Sequence, residues 1–549
     1  MESKTLPSVN GDIEGVTNRL VVTVQGETTK KTWQFWVIIL SLCLIVITVA
    51  LDGSIIAIAL PQITNEIPDA ADQYIWIASC FLLAQTVVQP PCAQLCNIFG
   101  RRSPMLISIA LFALGSGIAG GANSASMLIA GRSIQGCGSG GIMLLVELIV
   151  CDIAPMRERG KFLGIVLSSS AVGAIIGPVV GGALVETAWR WIFYLNLPIA
   201  GLVFLTTVFC LKLRFPKDAT WTKALARVDW IGNFLFIASM CSLLLGLIMG
   251  GALHPWKSWR VVIPLVLGGL GWIAFHIFES TWCKEPSVPP TLFDNRTSII
   301  GFFLVFNSSI LLQWVAFFIP IYFQGVRNTS PMKSGINLLP FEAFLIPIAA
   351  VAGGILSKTG AYRPFHAIGL ALMTIGLGLF TLLDRGTPTV VWVVFEAIEA
   401  VGQGLIIPTI LPAIQASLPE KEVATSVGLY SFLRSFGFVW GTTIPGVIFN
   451  AQWDRNDYRL ASAPDVREAM KDGKAYHFVS GSFRGALPKR IQSEIITVYV
   501  ETLKTLWYVA VAFAAVGFLS TFGERHIPLR KDLDTEYGLA VEGKLDLEG

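Results

Sequence analysis

Long apolar stretches separated by short polar ones run the length of the chain. Fourteen of them reach the roughly 20 residues that a helix needs to cross a bilayer. They cover about 35–60, 74–96, 104–122, 127–150, 161–185, 191–212, 229–250, 260–280, 298–323, 334–356, 364–383, 389–413, 423–449 and 502–522. Each predicts a membrane-spanning helix, so the expected fold class is an all-α polytopic membrane protein. The fourth and thirteenth runs stand apart because they contain Arg132 and Arg434. With the N-terminus in the cytosol, the short inside loops carry about 15 lysines and arginines, against about 6 outside. Cytosolic loops show this asymmetry, and the opposite topology would invert it. Both ends of the chain are then cytosolic.

The runs group as six, two and six. A basic loop from Lys212 to Arg227 follows the sixth, and a proline-rich segment at 285–290 follows the eighth. The expected organisation is a cytosolic tail 1–34, a six-helix bundle 35–213, a two-helix insertion with its linkers 214–297, a second six-helix bundle 298–522, and a cytosolic tail 523–549. The second bundle includes a long outside loop at 450–501. An internal echo supports the two halves. Phe99-Gly-Arg-Arg-Ser-Pro104 follows the second span, and Thr359-Gly-Ala-Tyr-Arg-Pro364 follows the second span of the last six. Both place glycine, arginine and proline in a tight cytosolic turn, and parallel repeats of this kind build alternating-access carriers.

Composition narrows the class. Hydrophobic residues make up 53% and charged ones 14%, against about 25% charged in an ordinary soluble domain. Mean hydropathy is +0.64. So few charges cannot cover a soluble body of this size. A soluble enzyme, a disordered chain and a secreted disulfide scaffold are excluded. The net charge is +3 with no basic stripe, so no nucleic-acid partner is expected. The nine cysteines sit in or beside apolar runs and read as small packing residues, with no disulfide framework and no metal site. The polar first thirty residues lack the features of a signal peptide, so the first run is expected to stay as an anchor. No Gly-x-x-x-x-Gly-Lys-[Ser/Thr] loop and no catalytic motif is present. ATP is therefore not the expected energy source, no cofactor is expected, and the chain reads as a non-enzyme.

Ionisable residues inside spans cost about 2.5–3.5 kcal/mol each on insertion scales, and are functional candidates by default. Asp52 and Arg132 lie about 17 and 18 residues from the cytosolic ends of their helices, hence at nearly one depth. A pair at that depth suits proton loading and release; the same pair also suits a purely structural role. Gln135, one turn from Arg132, and Glu342, Glu396, Glu399 and Arg434 in the second half are candidates for substrate or proton contact. Glu396 and Glu399 share a helical face, and one of them is equally well placed at the outer aqueous mouth. His276 and Glu279, one turn apart, are expected to pair locally. Glycines four apart let helix backbones approach closely. They recur at Gly136 and Gly140, and again at Gly173, Gly177, Gly181 and Gly182, where Pro178 bends the helix. Static packing is the simpler reading of the same stripes.

At this point the residues resemble a known family. Leu51-Asp-Gly-Ser-Ile-Ile-Ala-Ile-Ala-Leu-Pro61 is similar to the first-helix motif of the fourteen-spanner drug:proton antiporters of the major facilitator superfamily. Ala93-Gln-Leu-Cys-Asn97-Ile-Phe-Gly100-Arg101-Arg102 resembles the loop motif between spans two and three. Leu128–Gly140, Gly173–Gly182 and Trp189–Pro198 resemble the motifs of spans four, five and six. The resemblance covers about 35–522 and looks like fungal toxin and multidrug exporters. It implies two six-helix bundles around a cavity, and export of hydrophobic small molecules in exchange for protons. It further implies a proton-coupling role for Asp52 and Arg132, an antiporter helix at Gly173–Gly182, and a cytosolic gate at Asn97, Gly100, Arg101 and Arg102. The chain departs from the motif at Ala93 and Asn97. The family places an aspartate at the latter, where it latches the loop arginine. Glu147 is the expected substitute acid for Arg101 or Arg102, and Asp152 a weaker one because it sits in the solvated loop.

The chain is thus expected to act as a monomer in a lipid bilayer, at the plasma membrane, with a vacuolar or vesicle membrane as the alternative. Two further readings stay open: a proton-coupled carrier of a defined metabolite or siderophore, and a non-transporting sensor on the same scaffold.

Overall fold

The computed structural model describes residues 31–67, 70, 73–213, 221–251, 253–283, 285–460, 462–470 and 487–530. The expected tails therefore lie largely outside the described residues, as do 214–220 of the basic loop and 471–486 of the long outside loop.

Helices account for the spans. The first six are built from α1 (Trp33–Glu66), α2 (Tyr74–Val87) with α3 (Gln89–Phe99), α4 (Arg102–Gly120), α5 (Ala125–Ile153), α6 (Met156–Ala188) and α7 (Asn196–Cys210). Then come α8 (Trp230–Met249) and α9 (Trp259–Thr281). The last six are α10 (Arg296–Ile321), α11 (Leu339–Thr359), α12 (Arg363–Phe380), α13 (Thr389–Ile406) with α14 (Ile410–Ala416), α15 (Val423–Asn456) and α16 (Lys489–Thr521). Among the described residues, 13 helical segments are long and apolar enough to cross a membrane, and Trp76–Val87 is a shorter apolar one. The second crossing is the one that falls short, because it is broken at Val88. Pro90 and Pro91 carry no backbone N–H and restart the helix as α3. Counted as one, α2 and α3 give fourteen crossings. Pro408 marks a matching break between α13 and α14.

Several helices outrun the apolar pattern. α1 and α15 have 34 residues each, about 51 Å, so part of each stands clear of the roughly 30 Å apolar layer. The loop expected at 450–501 is correspondingly shorter. α15 runs to Asn456 and α16 begins at Lys489, and Trp453 is buried against Tyr499 with ring centroids 4.6 Å apart.

The α8–α9 hairpin is stitched to α3 by polar side chains. Gln94 Oε1 accepts from Asn233 Nδ2 at 2.8 Å and from the Asp229 backbone N–H at 3.2 Å, and Gln94 Nε2 donates to the Glu285 carbonyl at 2.7 Å. Glu279 does not pair with His276 as expected. Its carboxylate caps the following linker, accepting from the backbone N–H groups of Ser287 (2.7 Å) and Val288 (3.0 Å), while His276 packs between Trp272 and Phe275. Two buried backbone N–H groups left without acceptors cost more than one ion pair gives back, so the carboxylate goes to the backbone.

The internal echo has a conformational basis. Gly100 ends α3 at φ 76° and Gly360 ends α11 at φ 70°, both in the region that disfavours a Cβ. A Cβ at Gly360 would meet nothing within 4 Å, so only backbone strain opposes a side chain there. Gly360→Ala should destabilise the protein by about 1–2 kcal/mol, and Gly360→Asn by less, since asparagine tolerates this conformation. Thermal melts of the purified variants check the order; equal losses would show that the turn does not depend on the left-handed residue.

Candidate functional site

Asp52 is fully buried in α1 and is the centre of a polar cage within an apolar bundle. Its Oδ2 accepts from Arg132 Nη1 of α5. Its Oδ1 accepts from Gln135 Nε2 at 2.8 Å and from Asn196 Nδ2 of α7 at 2.8 Å. Arg132 also donates to Gln135 Oε1 at 2.7 Å, and its guanidinium lies over the Phe81 ring, 4.2 Å from the centroid. Ser116 of α4 accepts from Gln135 at 2.8 Å and from Asn196 at 3.3 Å. Side chains of α5 and α7 therefore meet on the α1 carboxylate, and Ser116 of α4 braces two of them from behind. The arrangement neutralises the charge and satisfies the buried carboxylate through three named partners. Asn196 and Ser116 were not expected. Asn196 stands in the Trp189–Pro198 motif, where its polarity inside an apolar run was a readable signal; nothing in the sequence marks Ser116.

Glycines bring these helices within bonding range. A Cβ on Gly136 would lie 2.9 Å from Ala84 Cβ of α2, one on Gly138 would lie 2.6 Å from the Ser108 carbonyl oxygen of α4, and one on Gly131 would lie 2.7 Å from the Ala119 nitrogen. The α6 stripe packs on the helix that carries the acid. Gly173 faces Ile47 and Ala50, Gly177 faces Leu51 and Ser54, and Gly181 faces Ile55. The surroundings of Pro178 and Gly182 lie outside the described residues.

At the end of the bundle that carries Arg101, Arg157, Lys358 and Arg363, here called the basic end, the expected gate is wired differently. Arg101 Nε donates to Asp152 Oδ2 at 2.7 Å and its Nη1 to the Cys96 carbonyl at 2.9 Å; both side chains are buried. Arg102 is exposed and donates to the Val208 carbonyl at 2.6 Å, Gly100 makes the turn, and Asn97 is half-buried beside them. Glu147 is not the partner of either arginine. Its carboxylate is buried and accepts from Arg434 and Ser431 of α15. The expectation that Asp152 is solvated fails as well, since it is 1% exposed. Five residues along a helix turn the side chain by roughly 140°, so Asp152 faces the α3–α4 turn while Glu147 faces across to the other half.

Arg434 is accordingly part of a clamp between halves rather than a neighbour of the second-half acids. Arg159 donates to Gln415 Oε1 at 2.8 Å and to Glu420 Oε1 at 2.7 Å, and Arg157 donates to the Ser357 carbonyl at 2.7 Å. Gly164 lies against the Ala349 carbonyl of α11. Cys151 is fully buried beside Gln415 in this seam. The basic end is shut.

The remaining acids gather in the second half. Glu396 and Glu399 on α13 are 1% and 0% exposed, so neither faces an aqueous mouth. Glu342 of α11 is half-buried and within electrostatic reach of Glu399, as Glu396 is. Among the described residues no donor reaches either oxygen of Glu399 or Oε2 of Glu342, and the Phe341 backbone lies near Glu396. Gly376 lets α12 close on the Glu399 backbone. Among the described residues no group of three acidic, histidine or cysteine side chains has a metal-binding arrangement.

The Major Facilitator Superfamily model matches residues 42–442. A protein of Aspergillus oryzae named MFS efflux transporter aclA is 48% identical over 517 residues, 94% of this chain and 93% of its own. A protein of Aspergillus aculeatus named acurin A biosynthesis cluster MFS-type transporter is 42% identical over 521 residues, 94% of each. Among solved structures, the proton:xylose symporter XylE superposes with a TM-score of 0.58 over 90% of this chain and 98% of its own. At 13% identity that likeness is one of fold.

Arg132→Ala should cost about 3–5 kcal/mol, because it strands a buried carboxylate. Adding Asp52→Asn should cost nothing further, since partners in one network are not additive. A thermal-melt cycle over the three variants reads this; simple additivity would mean the two groups are energetically independent. The clamp has its own reporter. With Cys151 as the sole retained cysteine, Arg159→Ala combined with Arg434→Ala should raise its maleimide labelling several-fold, and unchanged labelling would mean that these arginines do not hold the basic end shut.

Proposed function

The chain belongs to the Major Facilitator Superfamily and is an integral membrane transporter, and from that premise we propose that it is a proton-coupled exporter of amphipathic small molecules. The substrate class follows the relatives: one is named an efflux transporter, and another is named for a biosynthesis cluster. A toxin, secondary metabolite or drug fits that pattern. The observation that carries proton coupling is the buried Asp52 held by Arg132, Gln135 and Asn196. A carboxylate at that depth exchanges its cation partner for a proton when its side of the bundle opens.

The working cycle then has these parts. Residues 35–213 and 298–522 rock against each other, and 214–297 is an inserted hairpin with its linkers. The basic end is the cytosolic one, in keeping with its lysines and arginines, and it is gated by Gly100, Arg101, Arg102 and Asn97 together with the Glu147–Arg434 bridge. The α6 glycines let α1 shift along α6 as Asp52 changes charge. Glu342, Glu396 and Glu399 form a second acidic position for a proton or a cationic substrate. The carrier acts as a monomer at the plasma membrane and has no nucleic-acid partner.

Purified protein in vesicles with an imposed pH gradient tests the reading. The parent should accumulate a fluorescent amphipathic substrate against its gradient, and Asp52→Asn should abolish that accumulation while the protein still inserts and still binds substrate. Gradient-driven accumulation by Asp52→Asn at the parent's rate would remove Asp52 from coupling. Indifference of the parent to pH would point to a uniporter or a sensor instead.

A further inference from the structure

At the basic end, the start of α12 and the end of α16 enclose a cavity of about 370 Å3. Its polar lining is Arg363, Thr521 and His526; its apolar walls include Pro364, Ala367 and Phe522. Arg363 makes no ion pair among the described residues, and its Nε is buried with no acceptor. The acid nearest along the chain, Glu524, is turned away: its carboxylate is fully buried against His366 Nδ1 at 2.8 Å. The cavity therefore presents donors and no competing acceptor carboxylate, and it stands where Arg363 opens a helix of 18 residues. A phosphate oxygen is the ligand that this donor set suits.

The walls say what the phosphate is attached to. Counting by helical turns from Pro364, Ile368 and Ile375 lie on one face of α12 and are 54% and 53% exposed. From Phe522, itself 65% exposed, Leu519 and Val516 lie on one face of α16 and are 64% and 55% exposed. The polar cavity thus adjoins exposed apolar faces on both of the helices that flank it. A free anion has no use for those faces, whereas acyl chains lie against them.

We propose that this cavity binds an anionic phospholipid, with Arg363 donating to the headgroup phosphate, His526 beside it, and the acyl chains along α12 and α16. The lipid then braces the chain that leaves α16. Tyr362, next to Arg363, donates from its hydroxyl to the Arg525 carbonyl at 2.5 Å and accepts from the Ile527 N–H at 3.0 Å. The same segment continues to Arg530, whose Nη2 donates to the Leu418 carbonyl at 2.6 Å and whose carbonyl accepts from the Arg157 N–H of α6 at 3.2 Å. Leu529 packs with Met156, Leu356 and Ala413. Occupancy of the cavity thereby supports a strap that ties both halves together at the shut end. This inference needs only that the chain sits in a bilayer; it does not depend on proton coupling or on export.

The test uses the full chain in lipid nanodiscs, without any transport assay. Phosphatidylglycerol in a phosphatidylcholine disc should raise the melting temperature of the parent, and lipid titration should show binding about tenfold weaker in Arg363→Gln/His526→Gln. Ala367→Trp keeps both donors but fills the cavity, and it should lose the phosphatidylglycerol effect too, so the proposal stays testable if the charge variant fails to fold. Retention of the full effect in these variants overturns the site. If inorganic phosphate stabilises the parent as strongly as phosphatidylglycerol does, the cavity is a soluble-anion pocket and the lipid assignment is wrong.

Discussion

A charge inside a bilayer survives only where protein, not water, surrounds it. Asp52 illustrates how much structure that constraint demands. Its direct partners come from two other helices, and Ser116 and the Phe81 ring bring in two more behind them. Lipid supplies no hydrophobic force to press those helices together, because acyl chains are as apolar as leucine. Backbone proximity has to come from the absence of side chains. Gly131, Gly136 and Gly138 on α5 and Gly173, Gly177 and Gly181 on α6 provide it, each facing backbone or Cβ atoms of a neighbour. The glycine stripes and the polar cage are therefore one device, the first setting the spacing that lets the second form.

The same logic separates the two polar seams of the first half. The cage around Asp52 joins helices of that half to one another, whereas Glu147, Arg157 and Arg159 reach across to the second. Carboxylates along α5 are sorted by helical phase: Asp152 serves the α3–α4 turn and Glu147 the opposite half. The shut end thus depends on bonds that are close in space and distant along the chain. A carrier whose halves rock, as proposed above, requires that, since bonds within one half would not change in the motion.

How far all this was legible follows from the range of each signal. The crossings, their grouping and the shared depth of Asp52 and Arg132 are carried by local composition and by a rise of 1.5 Å per residue, both readable along one dimension. The break at Val88 was readable too, since Pro90 and Pro91 stand in the run, yet run length alone hides it. Proximity along the chain points Glu147 at the loop arginines, but helical phase turns it away, and its partner lies 287 residues off. Ser116 carries no signal in an apolar run that tolerates serine. Asn196 was visible as a polar residue in a recognisable motif, without any indication of what it touches. Gln94 lies in the same class: its bonds to Asn233 and Glu285 depend on how the hairpin folds back.

That hairpin attachment is uneven. On the α3 side, α8 and its linkers are held by directional bonds through Gln94, Asn233 and Ser287. On the α15 side, Phe236 rests against Phe432 with ring centroids 5.2 Å apart. Hydrogen bonds in an apolar medium tolerate little shear, but rings slide over one another at small cost. The hairpin is thus riveted to one wall and greased against the other. Under the proposed rocking of the two halves, α8 and α9 would travel with α3 and the slip plane would fall at the phenylalanines, which would make the hairpin a fender riding on the first half rather than a hinge between the two.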